Sequence, residues 1–325
     1  MGFLWFGKKE ELLPDIMRIP TDPAFGPILE EYAGKCSKEN LALCLSGGGS
    51  FGRHEAGFID YLDQIGILPY VNIVAGTSVG AIIGSVLSLF MSARPLVDLW
   101  RSIKTDSDVY SGNLVLSGLT GGLWRAGLLD PRPLYKLIQK TIGELKSQVP
   151  MYAIASDFQT RKMAILGPDT NPVDRALSSS AVPGAFPAWK IDDRYYMDGG
   201  LIQNIPIPFL LTECAATKVI VLYCSPENKT EPAPLAKAPS AMDTGIAIVE
   251  TALDSQEEYT DTIIEETEKL RNALGLDPVE FARFWPREKA GKNFLDFANH
   301  QALQAGYDDA CRYMTPTKLK NFLLA

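Results

Sequence analysis

The chain has 325 residues, of which 46% are hydrophobic and 22% charged, and its formal net charge is −8. This composition is ordinary for a globular protein of one large α/β domain or two small ones. The acidic balance argues against nucleic acid as a partner, because non-specific binding requires a basic surface. Five scattered cysteines favour free thiols in a reducing compartment, and only His54 and His300 are available for imidazole chemistry.

Residues 1–40 are predicted to form an N-terminal wrap or tail. They contain four prolines from Pro14 to Pro27 and a short helical pattern that starts at Pro27. The apolar start is too short for a secretory signal and precedes basic residues instead of following them. A myristoylation motif also fails, because Phe6 stands where Ser or Thr is required. No apolar run reaches the roughly 18 residues of a membrane-spanning helix, so we expect a cytoplasmic protein.

The stretch from Leu41 to Met91 contains two strand–turn–helix units. The first strand is a continuous apolar run, typical of a strand buried on both faces of a parallel sheet. The first helix carries apolar residues at helical spacing, and the second carries small residues suited to close packing. In order, the predicted elements are a strand at Leu41–Leu45, a helix at Gly52–Ile65, a strand at Val71–Ala75 and a helix at Val79–Phe90.

Strands and helices continue to alternate after this stretch. The predicted strands are Val149–Asp157, Arg161–Gly167, Arg194–Met197 and Lys218–Cys224, and the predicted helices are 95–104, Pro133–Ile142 and Pro172–Ser180. Residues 226–243 have the composition of a Pro/Ala-rich loop. Residues 244–325 are predicted to be C-terminal helices that run through Phe281 and Phe294.

This alternation predicts a sheet covered by helices on both sides. The expected fold is α/β, a three-layer α/β/α sandwich with a mostly parallel central sheet and a helical C-terminal extension. The catalytic core would span residues 41–225, with the C-terminal helices packed on it or appended to it. The sequence shows no internal repeat.

The first turn, Gly47-Gly48-Gly49-Ser50-Phe51-Gly52, matches the Gly-x-Gly-x-x-Gly fingerprint of dinucleotide-binding folds. That interpretation requires a carboxylate at the end of the next strand, where this chain has Ala75-Gly76-Thr77-Ser78. Alternatively, the backbone N–H groups of the turn hold an anion or the transient oxyanion of acyl transfer. A plain tight turn would need fewer than three consecutive glycines.

The second turn, Gly76-Thr77-Ser78-Val79-Gly80, has a serine between two glycines at a strand-to-helix junction. Such a junction exposes the serine hydroxyl at the carboxyl end of the sheet, where it can act as a nucleophile. The alternative role for Ser78 is an ordinary helix N-cap. The neighbouring oxyanion-competent turn favours the nucleophile.

A serine nucleophile needs a base. The order Ser78, Asp198, His300 fits a hydrolase triad, but His300 lies in a helical pattern far beyond the last predicted strand. His54 is predicted to be a solvated or capping residue. Asp198 ends a strand and is followed by Gly199-Gly200, and burial beside a neutral hydroxyl would raise its pKa enough for a base. The alternative for Asp198 is a simple Asp-Gly turn.

Together these motifs resemble the patatin-like phospholipases. The resemblance covers Leu41 to Cys224 and also includes the segments Ala176 to Pro187 and Asn204-Ile205-Pro206. It implies a Ser78–Asp198 dyad without histidine, which cleaves fatty-acyl esters through an acyl-enzyme. The residues implied for the oxyanion hole are Gly47, Gly48, Gly49, Gly52 and Val79; Gly76 and Gly80 flank the nucleophile, and Gly199 and Gly200 follow the base. The resemblance implies neither a metal nor a cofactor.

The family also implies a substrate, a membrane phospholipid or another fatty-acyl ester, and peripheral contact with membranes. One position departs from its pattern: where the family has Arg or Lys in the glycine turn, this chain has Phe51, with Arg53 two residues later. The apolar segment Ser111 to Leu129, with Trp124, is a candidate lid or alternatively a loop over the core. The C-terminal helices are candidates for a homo-oligomer contact.

A second hypothesis belongs to a different functional class. The chain would be a non-catalytic module that binds a nucleotide or a lipid phosphate through the glycine turn, with Ser78 as a structural cap. This hypothesis leaves the serine turn and the Asp198 segment without a role. A fluorophosphonate probe that labels Ser78 would decide between the two.

Overall fold

A computed structural model describes residues 17–18, 20–35, 40–112, 129–143, 145–227, 241–289, 291 and 293–325. The first sixteen residues of the predicted tail, most of the candidate lid with Trp124, and most of the Pro/Ala-rich loop lie outside these ranges. Cys44, Cys214, Cys224 and Cys311, which lie within them, are free thiols.

Eight strands of the described ranges form one mixed sheet. They are β1 Leu41–Leu45, β2 Ile73–Thr77, β3 Met151–Asp157, β4 Lys162–Leu166, β5 Trp189–Ile191, β6 Arg194–Asp198, β7 Lys218–Leu222 and β8 Glu280–Phe284. Their order is β5-β6-β3-β2-β1-β7-β8, and β4 pairs with β3 off this path. The pairs β3–β2, β2–β1, β1–β7 and β7–β8 are parallel, whereas β4, β5 and β6 enter antiparallel pairs.

Helices cover both faces of this sheet. They are α1 Phe25–Lys35, α2 Gly52–Gln64, α3 Val79–Phe90, α4 Arg94–Ser102, α5 Arg132–Ile142, α6 Pro172–Ser179, α7 Ile207–Thr212, α8 Ala241–Ala273, α9 Gln301–Tyr313 and α10 Pro316–Leu324. Alternate residues of β1 belong to different cores, because successive side chains of a strand point to opposite faces. Leu41, Leu43 and Leu45 join the larger core, whereas Ala42 and Cys44 join a smaller core with residues of α7 and α8. The predicted layered α/β class, with a helical C-terminal part, is confirmed.

The predicted helix through Phe281 is wrong. Phe281 lies on β8, which extends the sheet by parallel pairing with β7, with Phe281 opposite Val219. Phe294 lies in an irregular turn and not in a helix. The short sequence Glu-Phe-Ala-Arg-Phe does not alternate polar and apolar residues, so its strand conformation depends on pairing with β7 and gives no local signal.

The topology brings three chain segments together at the carboxyl ends of strands β1 and β2. Strands β1 and β2 are adjacent and parallel, so the glycine turn after Leu45 and the Ser78 turn after Thr77 emerge side by side. Asp198 ends β6, lies opposite Ala155 of β3, and donates its backbone N–H to Ala181 O at 2.9 Å. In the ranges described, every helix is too short or too polar to cross a membrane.

Candidate active site

Ser78 occupies a strained turn between β2 and α3. Its backbone angles are φ 55° and ψ −123°, in a region that costs a residue other than glycine about 1–3 kcal/mol. The turn packs tightly on β1, since a Cβ atom on Gly80 would lie 2.6 Å from the carbonyl oxygens of Leu45 and Ser46. The Ser78 side chain makes no capping hydrogen bond to α3, so its hydroxyl is available for other chemistry.

Ser179 holds the Ser78 turn in place through a hydrogen bond to its backbone. The Ser78 N–H donates to Ser179 Oγ at 2.9 Å, and the Ser179 hydroxyl donates to the carbonyl oxygen of Ile154. Because Ser179 ends α6 and Ile154 lies on β3, this buried pair of hydrogen bonds ties the turn to two other elements. The sequence offered only a run of three serines at 178–180 as a signal for this role.

Asp198 is a buried carboxyl group, 5% exposed, that lines a small cavity together with Ser78. Its Oδ1 accepts a hydrogen bond from the Gly200 N–H at 2.7 Å, while Oδ2 is buried without a regular hydrogen-bond partner. Burial raises the pKa of Asp198 to about 6, against the lowering effects of the Ser78 hydroxyl and the Gly200 N–H. The Ser78 contact lies outside regular hydrogen-bond geometry, yet it leaves the hydroxyl beside a carboxylate that can accept a proton.

The glycine turn is fastened by Asn204. The Gly47 N–H donates to Asn204 Oδ1 at 3.1 Å and to Asn204 O at 3.2 Å, and Asn204 Nδ2 donates to Gly47 O at 3.3 Å. The Gly52 N–H donates within the turn to the carbonyl groups of Gly49 and Ser50. In this structure the amides of Gly47 and Gly52 therefore hold the shape of the turn.

Three amides near Ser78 remain without an acceptor in the described part of the chain: those of Gly48, Gly49 and Val79. Gly49 adopts φ 57°, a conformation that favours glycine, and lines the cavity with Gly48 and Ser78. The Val79 amide starts α3, so the positive end of the helix dipole adds to its donor strength. Such unpaired donors can stabilise a developing negative charge on oxygen.

A larger apolar cavity, partly open to solvent, extends from Ser78 into the helical layer. It is lined by side chains of α3, α4 and α5, of the segment between α6 and β5, and of the segment after β8. They include Ile82, Trp100, Leu137, Phe186, Phe294 and Phe297. Nearly all of its surface is hydrocarbon, which suits an alkyl chain. The contribution of the C-terminal segment could not be predicted from the sequence, because nothing local links Phe294 or Phe297 to Ser78.

Arg53 supports the wall of this apolar cavity instead of the glycine turn. Its guanidinium donates to the carbonyl oxygens of Ile103 at 2.9 Å and Phe297 at 3.2 Å, and lies 5.4 Å from the ring centre of Trp100. Its Nη1 also lies 2.6 Å from His300 Nδ1. Burial lowers the pKa of Arg53 to about 10, well above neutrality, so the wall is held by a permanent cation.

Neither histidine contacts Ser78 or Asp198. His300 interacts with Arg53 and with the carbonyl oxygen of Lys104. The prediction of a solvated or capping His54 is wrong, since its side chain is 2% exposed and its Nε2 lies 3.0 Å from Asp309 Oδ2. The burial results from α9 packing closely on α2, an arrangement that the local sequence does not reveal.

A cation from the C-terminal segment lies over Phe51. Lys289 Nζ is 5.2 Å from the Phe51 ring centre and donates to Glu250 Oε1 of α8 at 3.0 Å. Near this ion pair, Val249 and Leu253 of α8 line the smaller cavity. The described residues include no group of three or more His, Cys, Asp or Glu side chains that could hold a metal ion.

Comparisons with known proteins show which proteins the chain is similar to. The chain is 28% identical over 195 residues to a cGAMP-activated phospholipase of Vibrio cholerae, with 50% of this chain and 54% of the relative aligned. An uncharacterized NTE family protein of Mycobacterium tuberculosis is 26% identical over 175 residues, which cover 53% of this chain and 45% of that protein. The chain thus spans about half the length of these curated relatives.

Among solved structures, the chain is similar to VipD from Legionella pneumophila. The TM-score is 0.43 at 13% sequence identity, and the superposition covers 88% of this chain and 67% of VipD. A likeness this distant carries no weight for the chemistry of the site.

The family assignment comes from a model of the patatin-like phospholipase family. It matches residues 43–211, slightly more than half of the 325 residues. The match contains the glycine turn, Ser78, Ser179, Asp198 and Asn204. The chain therefore belongs to the patatin-like phospholipase family.

Proposed function

We propose that the chain is a lipid acyl hydrolase of the phospholipase A or lysophospholipase type, a serine hydrolase that cleaves fatty-acyl esters. The observation that carries the proposal is the arrangement around Ser78. Its free hydroxyl stands beside the buried carboxyl group of Asp198, next to unpaired amides and at the entrance of an apolar cavity. Family membership supports the same class of reaction.

In the first half of the reaction, Ser78 Oγ attacks the carbonyl carbon of the ester while Asp198 Oδ2 accepts the hydroxyl proton. The carbonyl oxygen becomes an oxyanion, which accepts hydrogen bonds from the amides of Gly48, Gly49 and Val79. The tetrahedral intermediate then collapses, and the alcohol leaves with the proton from Asp198. The acyl group remains on Ser78.

In the second half, Asp198 takes a proton from a water molecule, which attacks the acyl carbonyl carbon. The same amides stabilise the second oxyanion. Ser78 then leaves with the proton from Asp198, and the fatty acid is released. A carboxyl group with a pKa of about 6 is mostly ionised at neutral pH and still basic enough to serve in both steps.

The apolar cavity supports a fatty-acyl substrate. An alkyl chain bound there would contact hydrocarbon side chains almost exclusively, and its ester carbonyl group would lie at Ser78. The substrate class is therefore a membrane phospholipid or another long-chain acyl ester, which requires peripheral contact with a membrane.

The test uses Ser78→Ala and Asp198→Asn variants. We expect each to reduce fatty-acid release from phosphatidylcholine vesicles by about 10³-fold or more, because each removes a group that acts in the transition state. Ser88→Ala is a matched control, since Ser88 is a buried serine of α3 that lies outside both cavities.

Full activity in either dyad variant would contradict the mechanism. A His300→Ala variant that folds but loses activity would favour a triad instead. A fluorophosphonate probe should label Ser78 in the wild-type protein, and absence of labelling would favour the non-catalytic binding module.

A further inference from the structure

Among the described residues, no helix covers one face of the sheet near β4. Residues directly opposite each other in antiparallel strands point to the same face, and Ser156 of β3 lies opposite both Met163 and Met197. Ile165 and Tyr195, two positions along their strands, therefore share this face with Met163. Helix α7 covers the inner part of the same face through Phe209, whose ring centre is 5.0 Å from that of Tyr152.

The outer part of this face exposes large apolar side chains. Phe158 is 56% exposed, Met163 41%, Ile165 39% and Tyr195 42%. The Phe158 N–H donates to Tyr195 O at 2.9 Å, so Phe158 continues the same surface beyond the end of β3. We call these four side chains the open sheet face. A cluster of this kind is a feature of interaction sites.

The open sheet face leads to the entrance of the Ser78–Asp198 cavity. Strand β6 passes from Tyr195 to Asp198, and the chain then exposes Leu201 and Ile202, which are 43% and 36% exposed. Leu201 lines the cavity itself. On the other side of the entrance, Ile248 is 63% exposed and precedes Val249, another lining residue.

The charge on this face differs from that of the whole chain. The positions that form it are the strand positions 154, 156, 163, 165, 190, 195 and 197, together with 158 after β3. None of them is acidic in a protein of net charge −8. The one charged residue among these positions is Lys190, opposite Tyr195 on β5, with its Nζ 5.8 Å from the Tyr195 ring centre. An apolar surface with a lysine at its margin complements anionic lipid head groups.

We propose that the open sheet face docks on a lipid bilayer that contains anionic phospholipid. The four apolar side chains enter the boundary between head groups and acyl chains, and Lys190 lies at the level of the head groups. Docking brings the exposed Leu201, which lines the cavity, close to the bilayer, so that a lipid can enter the cavity from there. This inference rests on the proposed function, because the substrate must come from the bilayer.

The experiment measures cosedimentation of the full chain with phosphatidylcholine vesicles, with and without phosphatidylserine, in the Ser78→Ala background to prevent hydrolysis. Met163→Ser combined with Tyr195→Ser should weaken vesicle binding about tenfold or more, since two apolar side chains no longer enter the bilayer. Tyr259→Ser combined with Leu274→Ser is the matched control, because these side chains are 60% and 64% exposed on or near α8. Lys190→Glu should remove the preference for phosphatidylserine.

Three outcomes would each overturn the docking surface. The Met163/Tyr195 variant could bind vesicles as well as its parent, the control variant could lose as much binding, or the parent could fail to bind. The docking surface would also be overturned by a parent that elutes as a dimer in size-exclusion chromatography while the variant elutes as a monomer, because the face would then bind a second copy. Hydrolysis of a soluble short-chain ester, measured with Ser78 intact, separates the two proposals. Vesicle binding without ester hydrolysis supports the surface and contradicts the proposed function.

Discussion

The backbone N–H of Ser78 donates to the hydroxyl of Ser179 at 2.9 Å. This bond secures a backbone conformation that is unfavourable for serine, and it comes from a residue 101 positions away. The Ser179 hydroxyl in turn donates to Ile154 O, so the candidate nucleophile depends on α6 and β3 for its position. The strain at Ser78 is maintained by its surroundings and not by its own turn.

Ser179→Ala should therefore impair both stability and turnover. Loss of the hydroxyl leaves the Ser78 N–H buried without a partner, which costs about 1–3 kcal/mol in the free energy of unfolding. We expect kcat for a soluble ester to fall about tenfold, with KM little changed, because the serine is less well oriented. Ser178→Ala is the control, since the Ser178 hydroxyl is buried without a partner. Equal effects in both variants would contradict a positioning role for Ser179.

The pH dependence of activity should report Asp198. Only the ionised carboxylate can accept the Ser78 proton, so kcat/KM should rise with pH through about 6 and level off above it. The measurement is a pH profile with a soluble ester whose own hydrolysis is subtracted. A midpoint near 7 or above would contradict Asp198 as the base.

Asp198→Asn should stabilise the protein at neutral pH. The pKa of Asp198 is raised from its ordinary value of 3.8 to about 6, so the folded state binds the proton more tightly than the unfolded state does. The stability that this group contributes is complete below about pH 4 and is lost as pH rises to about 6. Removing the charge should add up to about 3 kcal/mol to the free energy of unfolding at pH 7.

Urea unfolding at several pH values measures this effect. The advantage of the Asn variant over the wild type should grow between about pH 4 and pH 6 and then stay constant. If the inactive Asn variant is less stable than wild type at pH 7, burial of the Asp198 carboxylate does not destabilise the fold, and the prediction is wrong.

Asn204→Ala should disturb the glycine turn. The substitution removes the side-chain hydrogen bonds to Gly47 N and Gly47 O, and with them the alignment of the Gly48 and Gly49 amides. We expect kcat to fall about tenfold or more, as for other losses of oxyanion stabilisation, while KM changes less. A variant with unchanged kcat would show that the turn keeps its shape without Asn204.

Leu137→Trp should shorten the acyl chains that the protein accepts. Leu137 is a partly exposed residue of α5 that lines the apolar cavity, and a larger ring there would occupy space meant for the alkyl chain. We expect kcat/KM to fall about tenfold for a long-chain nitrophenyl ester and to stay unchanged for the butyrate ester. Leu145→Trp is the control, because Leu145 is 48% exposed and lies outside the cavity. Equal losses for both esters would contradict the assignment of this cavity to the acyl chain.

Some features of this protein could be predicted from local sequence alone. The helix Val79–Phe90 was predicted with its observed bounds, and the apolar run Leu41–Leu45 was predicted as a strand. The Gly-x-Ser-x-Gly pattern predicted a serine at a sharp turn, and the structure has Ser78 at φ 55°. These predictions are correct because hydrophobic periodicity and glycine determine backbone conformation over a few residues, within one strand or turn.

The tertiary structure decided which groups surround Ser78. Burial gives Asp198 its raised pKa, Asn204 occupies the Gly47 amide from 157 residues away, and Phe294 completes both cavities from beyond β8. Likewise, Phe281 becomes a strand residue only by pairing with β7. Contacts between residues so far apart leave no periodic signal in the sequence, because they depend on how the layers pack and not on local backbone preference. The local sequence determines the two glycine-rich turns, whereas the packing of distant segments determines the environment that would make Ser78 reactive.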